Sequence, residues 1–180
     1  MSVRTLLTSL LRYKAWADKG LVDALAARGH ELPAADRENA LAILAHAHVV
    51  DRIFLAHLRR ERHGFTSTTP SEPPRPETLF PAIEDVDRRL VERAEQLGPS
   101  ELAEEIAFEF TDGRAGRMSR EEMLGHLVAH GGYHRGEVGQ ILTRHFGSSP
   151  PDTFTGYLHR TEPRRRESIA PVAGDAGPAA

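Results

Sequence analysis

A chain of 180 residues with a formal charge of −3 and no cysteine is sized for one domain with a core of its own and carries no electrostatic footprint for nucleic acid. The missing thiol excludes disulfides, thiolate metal sites and a cysteine nucleophile, so any metal must be held by nitrogen and oxygen and any thiol chemistry must borrow its thiol from a small molecule. No run of about 18 apolar residues marks a membrane span, and Met1 to Leu11, soon followed by Arg12 and Lys14, does not read as a secretory signal; the expectation is a cytoplasmic protein.

Val3, Leu6, Leu7, Leu10, Leu11, Trp16, Leu21, Val22 and Leu25 recur at three- and four-residue intervals. They predict an amphipathic helix from Ser2 to about Ala27, stopped by Gly29. Trp16, the only tryptophan, is expected in the core. A second helix is expected to start near Asp36, where Asp36-Arg37-Glu38-Asn39 offers a cap and early negative charge, and to run to about Arg62. It carries two histidines. His46 shares a face with Ile43, Val50, Ile53 and His57, whereas His48 lies about 200° away beside Leu44, Asp51 and Leu55. One of the two can point into a given site, and periodicity does not choose, because the helix is apolar over most of its circumference.

Gly64 to Pro76 holds four prolines and reads as a loop, a crossover of the length that is often functional or mobile, with a passive connection as the equal alternative. A third helix follows from about Thr78 to Leu97, with Leu79, Ile83, Val86, Leu90, Ala94 and Leu97 as its apolar stripe. Ile106, Phe108 and Phe110 then alternate with Ala107 and Glu109 before an Asp112-Gly113 turn, the pattern of a short β-hairpin. Ser119-Arg120-Glu121-Glu122 is a capping-box pattern and opens the last long helix, which ends between Arg144 and Gly147. Phe154, Tyr157 and Leu158 predict one further turn on the bundle. Pro163 to Ala180, rich in Pro, Ala, Gly and charge, has the composition of a disordered tail. The expected architecture is all-α, a four-helix bundle over 1–160 with a β-hairpin before its last long helix, and a tail over 161–180.

The chemistry concentrates in that last helix. At about 100° per residue, His126, His130, His134 and Glu137 fall within roughly 80° of one another. Histidines at i and i+4 can bring both ring nitrogens to one ion about 2 Å away. The bland alternative is a stripe of hydrogen-bonded core histidines. Gly125, Gly131, Gly132, Gly136 and Gly139 crowd the same segment; each interior glycine costs a helix about 1 kcal/mol relative to alanine, which predicts a close backbone approach. The second cluster, His46 and His48, offers a third ligand from another helix.

Three segments carry a resemblance. Tyr13-Lys14-Ala15-Trp16-Ala17-Asp18 is similar to a first-helix Tyr-x-x-Trp-Ala-Asn segment; Leu44 to Leu55 is similar to a second-helix block in which a histidine precedes an aspartate by five residues; and Ala129-His130-Gly131-Gly132-Tyr133-His134-Arg135-Gly136-Glu137 is similar to a fourth-helix Asn-His-x-x-x-His-Arg-Gly-Gln motif. Through these, from about Val3 to Arg160, the chain resembles the DinB/YfiT-like family, whose relatives include thiol-dependent S-transferases and the mycothiol-dependent maleylpyruvate isomerase. The resemblance implies an up-down-down-up bundle, often a homodimer, with a divalent metal such as zinc or nickel held by three histidines. Carried over, the ligands are His46, His130 and His134; His48 does not match.

Ala129, Asp18 and Glu137 depart from the pattern, and Glu137 is the departure with chemical weight. Its carboxylate is a candidate catalytic group, a fourth ligand, a partner orienting an imidazole, or a salt-bridge partner for Arg135 or a lysine of the first helix. The resemblance implies a metal-dependent transferase that activates a low-molecular-weight thiol for attack on a small electrophilic substrate. Two alternatives stand beside it: a metal-dependent hydrolase with Glu137 or His126 as base, and a non-enzymatic, stress-linked metal-binding bundle. Neither a nucleic acid nor a membrane is an expected partner.

Overall fold

The computed structural model describes residues 2–166. Helix α1 spans Val3–Arg28, α2 Ala34–Arg59, α3 Pro76–Gln96, α4 Pro99–Ala103, α5 Arg120–Phe146 and α6 Phe154–Thr161; strands β1, Glu105–Glu109, and β2, Ala115–Ser119, form an antiparallel hairpin between α4 and α5. The chain folds as the all-α bundle with a hairpin that its periodicities predict. Residues Pro163–Arg166 form a 3-10 turn, and the remainder of the expected tail lies outside the described residues.

The ends of the helices follow from local chemistry. Ser2 caps α1 by accepting from the Thr5 N–H at 3.2 Å. At α5 the capping box is complete: the Glu122 N–H donates to Ser119 Oγ at 3.2 Å and the Ser119 N–H donates to Glu122 Oε2 at 2.7 Å. Gly147 ends that helix at φ 77°, the left-handed turn glycine adopts without strain. Two starts differ from expectation. The second helix begins at Ala34 with Pro33 as its cap, and Asp36 pairs instead with His145 Nε2 at 2.6 Å, tying the start of α2 to the end of α5. Helix α3 begins at Pro76, because a proline at the first helical position gives up an N–H that would have no partner there.

Side-chain pairs fix the helix directions. Arg12 reaches Glu95 and Lys19 reaches Glu84, so α1 and α3 are antiparallel. Lys14 lies against Gly131 and Asp18 pairs with Arg135, so α1 and α5 are parallel. His46 faces His134 while Asp36 holds His145, so α2 and α5 are antiparallel. The result is up, down, down, up, with the crossover joining the parallel pair α2 and α3.

Apolar packing occurs in two blocks. One gathers Leu11, Phe54, Leu58, Leu90, Met123 and Leu127; the other gathers Leu21, Leu25, Leu44, Ile83, Val138 and Leu142. Between them every long helix contributes polar residues. Among the described residues α2 alone has the length and composition of a membrane span, and 67% of its most apolar window is buried inside the bundle.

Trp16 is not a core residue. It is half-buried, with its ring 5.8 Å from that of Tyr157 and 6.4 Å from that of Tyr13, and this aromatic group seats α6 on α1. The indole therefore packs on the flank of the bundle rather than in its interior.

Candidate metal centre

The middle of α2 and the middle of α5 face each other across the polar layer, and there the structure brings His46, His130 and His134 together. One ring nitrogen from each lies within 4.8 Å of the others, and all three residues are half-buried. His130 and His134, one turn apart on α5, approach to 3.1 Å between their Nε2 atoms. Nitrogens coordinated at about 2.05 Å around a tetrahedral ion stand about 3.3 Å apart, so the pair is already near the edge of such a polyhedron.

The tautomers point the same way. His46 Nδ1 lies 3.1 Å from the Thr68 carbonyl oxygen, which can only accept, so the Nδ1–H donates and Nε2 is left with a lone pair. His134 Nδ1 donates in the same way to Glu137 Oε2 at 2.6 Å. Two of the three imidazoles are thus oriented through their outer nitrogens, the arrangement common behind metal-bound histidines. Burial, with His134, His126, His46 and Lys14 adding, pushes the His130 pKa down to about 4, so its ring is neutral at physiological pH. Its Nδ1 is buried without a partner. The donor set fits a divalent ion.

His126 lies beside this group without joining it. Its ring is 5.3 Å from that of His130 and 4.7 Å from that of Phe54. His48 does not join the triad: it borders a void of about 10 Å³ shared with Asp51, Lys14, His134 and Arg135, and Asp51 Oδ1 and His48 Nδ1 both lack partners. Tyr133 is exposed, its ring 5.1 Å from that of His134. Glu137 contacts His134; Arg135 and Lys14 are engaged by other acids.

Those acids form a feature that the sequence reading missed. Lys14, only 2% exposed, donates to Asp18, Asp51 and Asp87 at 2.8, 2.7 and 2.6 Å, so its three N–H groups have three carboxylate acceptors. Arg135 Nη1 reaches Asp18 at 3.2 Å and Arg135 Nε reaches Asp152 at 2.8 Å, and the Tyr13 hydroxyl donates to Asp152. Three of these aspartates could by geometry hold a cation; the Lys14 ammonium is that cation. Burial alone would lower the Lys14 pKa, but the three aspartates outweigh it and hold it well above the usual lysine value. Burial would raise Asp18, but Lys14 and Arg135 bring it down. Burial prevails at Asp51, raised to about 6, and at Asp87, raised well above the ordinary range.

The signal was present in the pattern. Lys14, Asp51 and Asp87 each fall on the apolar stripe of their own helix, between Leu11 and Ala17, between Leu44 and Leu55, and between Ile83 and Leu90. A charge on an apolar stripe must be buried with its acceptors or counter-charges. Of the five glycines expected to permit close approach, Gly131 does so most clearly: a Cβ there would stand 3.0 Å from Lys14 Cε and 3.1 Å from Arg135 Nη1, whereas Gly125 and Gly136 face open space. Thr68 was also invisible in the sequence, since it acts through its carbonyl.

A larger hollow of about 840 Å³ lies away from the triad, between the end of α2 and β1, where His57, His63 and Phe108 line it. The model of the DinB family matches residues 1–166. No curated protein and no solved structure matches the chain.

Proposed function

We propose, from the premise that the chain belongs to the DinB family, that His46, His130 and His134 hold one divalent ion, zinc or nickel, and that this centre serves a transferase in which a low-molecular-weight thiol attacks an electrophilic small molecule. The observation that carries the reading is the convergence of three ring nitrogens within 4.8 Å, two of them on imidazoles whose Nδ1–H groups are already committed to Thr68 and Glu137. When bound, such an ion supplies Lewis acidity at the position that three protein ligands leave open. The chain supplies the rest. Thr68 and Glu137 hold two rings in the ligating tautomer, and the buried Lys14 cluster fixes α1, α2 and α3 behind them. With no cysteine in the sequence, the thiol must come from solution. Glu137 enters this reading as a positioning residue, because its carboxylate is engaged by His134.

Metal content of protein purified without an affinity tag or added metal tests the first half. About one ion per chain should be lost in His46→Ala, His130→Ala and His134→Ala and retained in His48→Ala. Metal-loaded protein should then consume a thiol and a generic electrophile together. Turnover that ignores the metal across several thiols would refute the transferase reading while leaving the metal site standing.

A further inference from the structure

The crossover from α2 to α3 covers a second hollow, of about 620 Å³, whose walls are the outer face of α2, the loop and the start of α3. That volume lies within the range of small-molecule sites. Its lining has two characters. Val49 and Leu79, both buried, give an apolar wall, while Arg52 and Arg75 stand at its edge and His48, 8% exposed and with Nδ1 unpartnered, lies beneath. Neither arginine makes an ion pair among the described residues, although exposed arginines elsewhere, such as Arg28 and Arg88, do. Arg52 is instead held over the Phe65 ring of the loop, 4.7 Å from its centroid, which positions its guanidinium while leaving its N–H groups free.

The start of α3 adds to the same field. Arg75 is its N-cap residue, makes no side-chain cap, and is followed by Pro76, so the positive end of a long helix opens beside Arg75 without a capping side chain, although Glu77 in the first turn offsets part of that field. The hydroxyls of Ser71 and Thr78 line the hollow too, and Glu72 is its one acidic lining residue.

We propose that this hollow binds a small amphipathic anion, a molecule with a carboxylate or phosphate at one end, held by Arg52 and Arg75, and a short apolar body laid against Val49 and Leu79. The site is distinct from the histidine triad: His46, His130 and His134 do not line it. The two share one loop, since Thr68, whose carbonyl holds His46, lies between loop residues Ser67 and Thr69 that line the hollow. The inference does not depend on a metal being bound.

The test uses hexanoate and hexyl phosphate as probes, with hexanol as the neutral control. Backbone amide NMR shifts are followed on the full chain after metal is stripped with a chelator, so that a carboxylate cannot be read as a metal ligand. Saturable shifts should cluster at Val49, Arg52 and Thr78 for at least one of the two anions, and which anion binds tighter identifies the head group. Arg52→Gln and Arg75→Gln, at exposed positions that leave the core intact, should each weaken binding about tenfold; His130→Ala should leave it unchanged. Hexanol binding as tightly as both anions, affinity unaltered by either arginine variant, or binding lost in His130→Ala would each overturn the proposal, as would the absence of any saturable shift.

Discussion

His134 has one nitrogen on Glu137 and the other toward His130, so a change at Glu137 should be felt through the ring. Glu137→Gln keeps the shape but replaces a charged acceptor with a neutral one, and metal affinity measured by chelator competition should fall about 10- to 100-fold. Removing a passive surface carboxylate would leave it unchanged. A second test at this scale concerns His57, buried against Phe54, Phe108 and His63. Burial, with His63 adding, holds its pKa down to about 4, against about 6.5 in an unfolded chain. Between those values the unfolded state binds more protons. The stabilisation is therefore full above about pH 6.5 and is lost as pH falls through about 4. Asp51 acts oppositely: raised to about 6, it contributes below its unfolded value near 3.9 and loses that contribution as pH rises through 6. Urea midpoints measured at about pH 7.5 and pH 4.5 should fall less in His57→Leu than in the parent.

Within α5, neighbouring glycines should respond with opposite sign. Gly131→Ala places a methyl 3.0 Å from Lys14 Cε, and although a lysine end is ordinarily free to move, this one is enclosed by three aspartates. Displacing it should cost about 1–3 kcal/mol in urea unfolding. Gly136→Ala meets nothing within 4 Å and should stabilise by up to about 1 kcal/mol through helix propensity alone. Lys14→Met tests what joins α1 to α2 and α3. It leaves three carboxylates buried without their cation, and the loss should be about 3–5 kcal/mol, again read from urea unfolding. Burial of Lys14 is tolerable because every N–H has an acceptor, not because the charge pair is inherently stabilising.

Across the whole bundle, a polar layer separates two apolar blocks, with Lys14, Asp18, Asp51, Asp87 and Arg135 deep in it and the three histidines toward one side. Apolar packing alone would tolerate sliding of one helix along another by a turn. The charge cluster and the triad both penalise that slide, since each needs its own level on each helix. An ion across His46, His130 and His134 would bind α2 to α5 in the folded state only. Zinc at about 100 times its dissociation constant should then raise stability by about 2.7 kcal/mol, visible as a higher melting temperature that chelator reverses and that His46→Ala abolishes.

The sequence by itself determined the four long helices, the hairpin, the capping box at Ser119 and the His130/His134 pair, because each depends on residues close along the chain, whereas the short helix Pro99–Ala103 was not among the expected elements. Helical spacing alone places His130 and His134 on one face, and the Ser119–Glu122 box closes within four residues. What lay between helices was open to the sequence only where a known family's motifs resembled it. Residue spacing on α2 could not choose between His46 and His48, as both lie on apolar faces of the same helix; the resemblance implied His46, and the fold puts His130, His134 and the Thr68 carbonyl opposite it. Trp16 reads as core from its periodicity, yet α6 offers it a flank. The Lys14 cluster unites residues 14, 18, 51, 87 and 135 from four helices, and no local rule makes a buried lysine acceptable. Only tertiary structure can, because an ammonium taken from water must find its acceptors in space rather than along the chain.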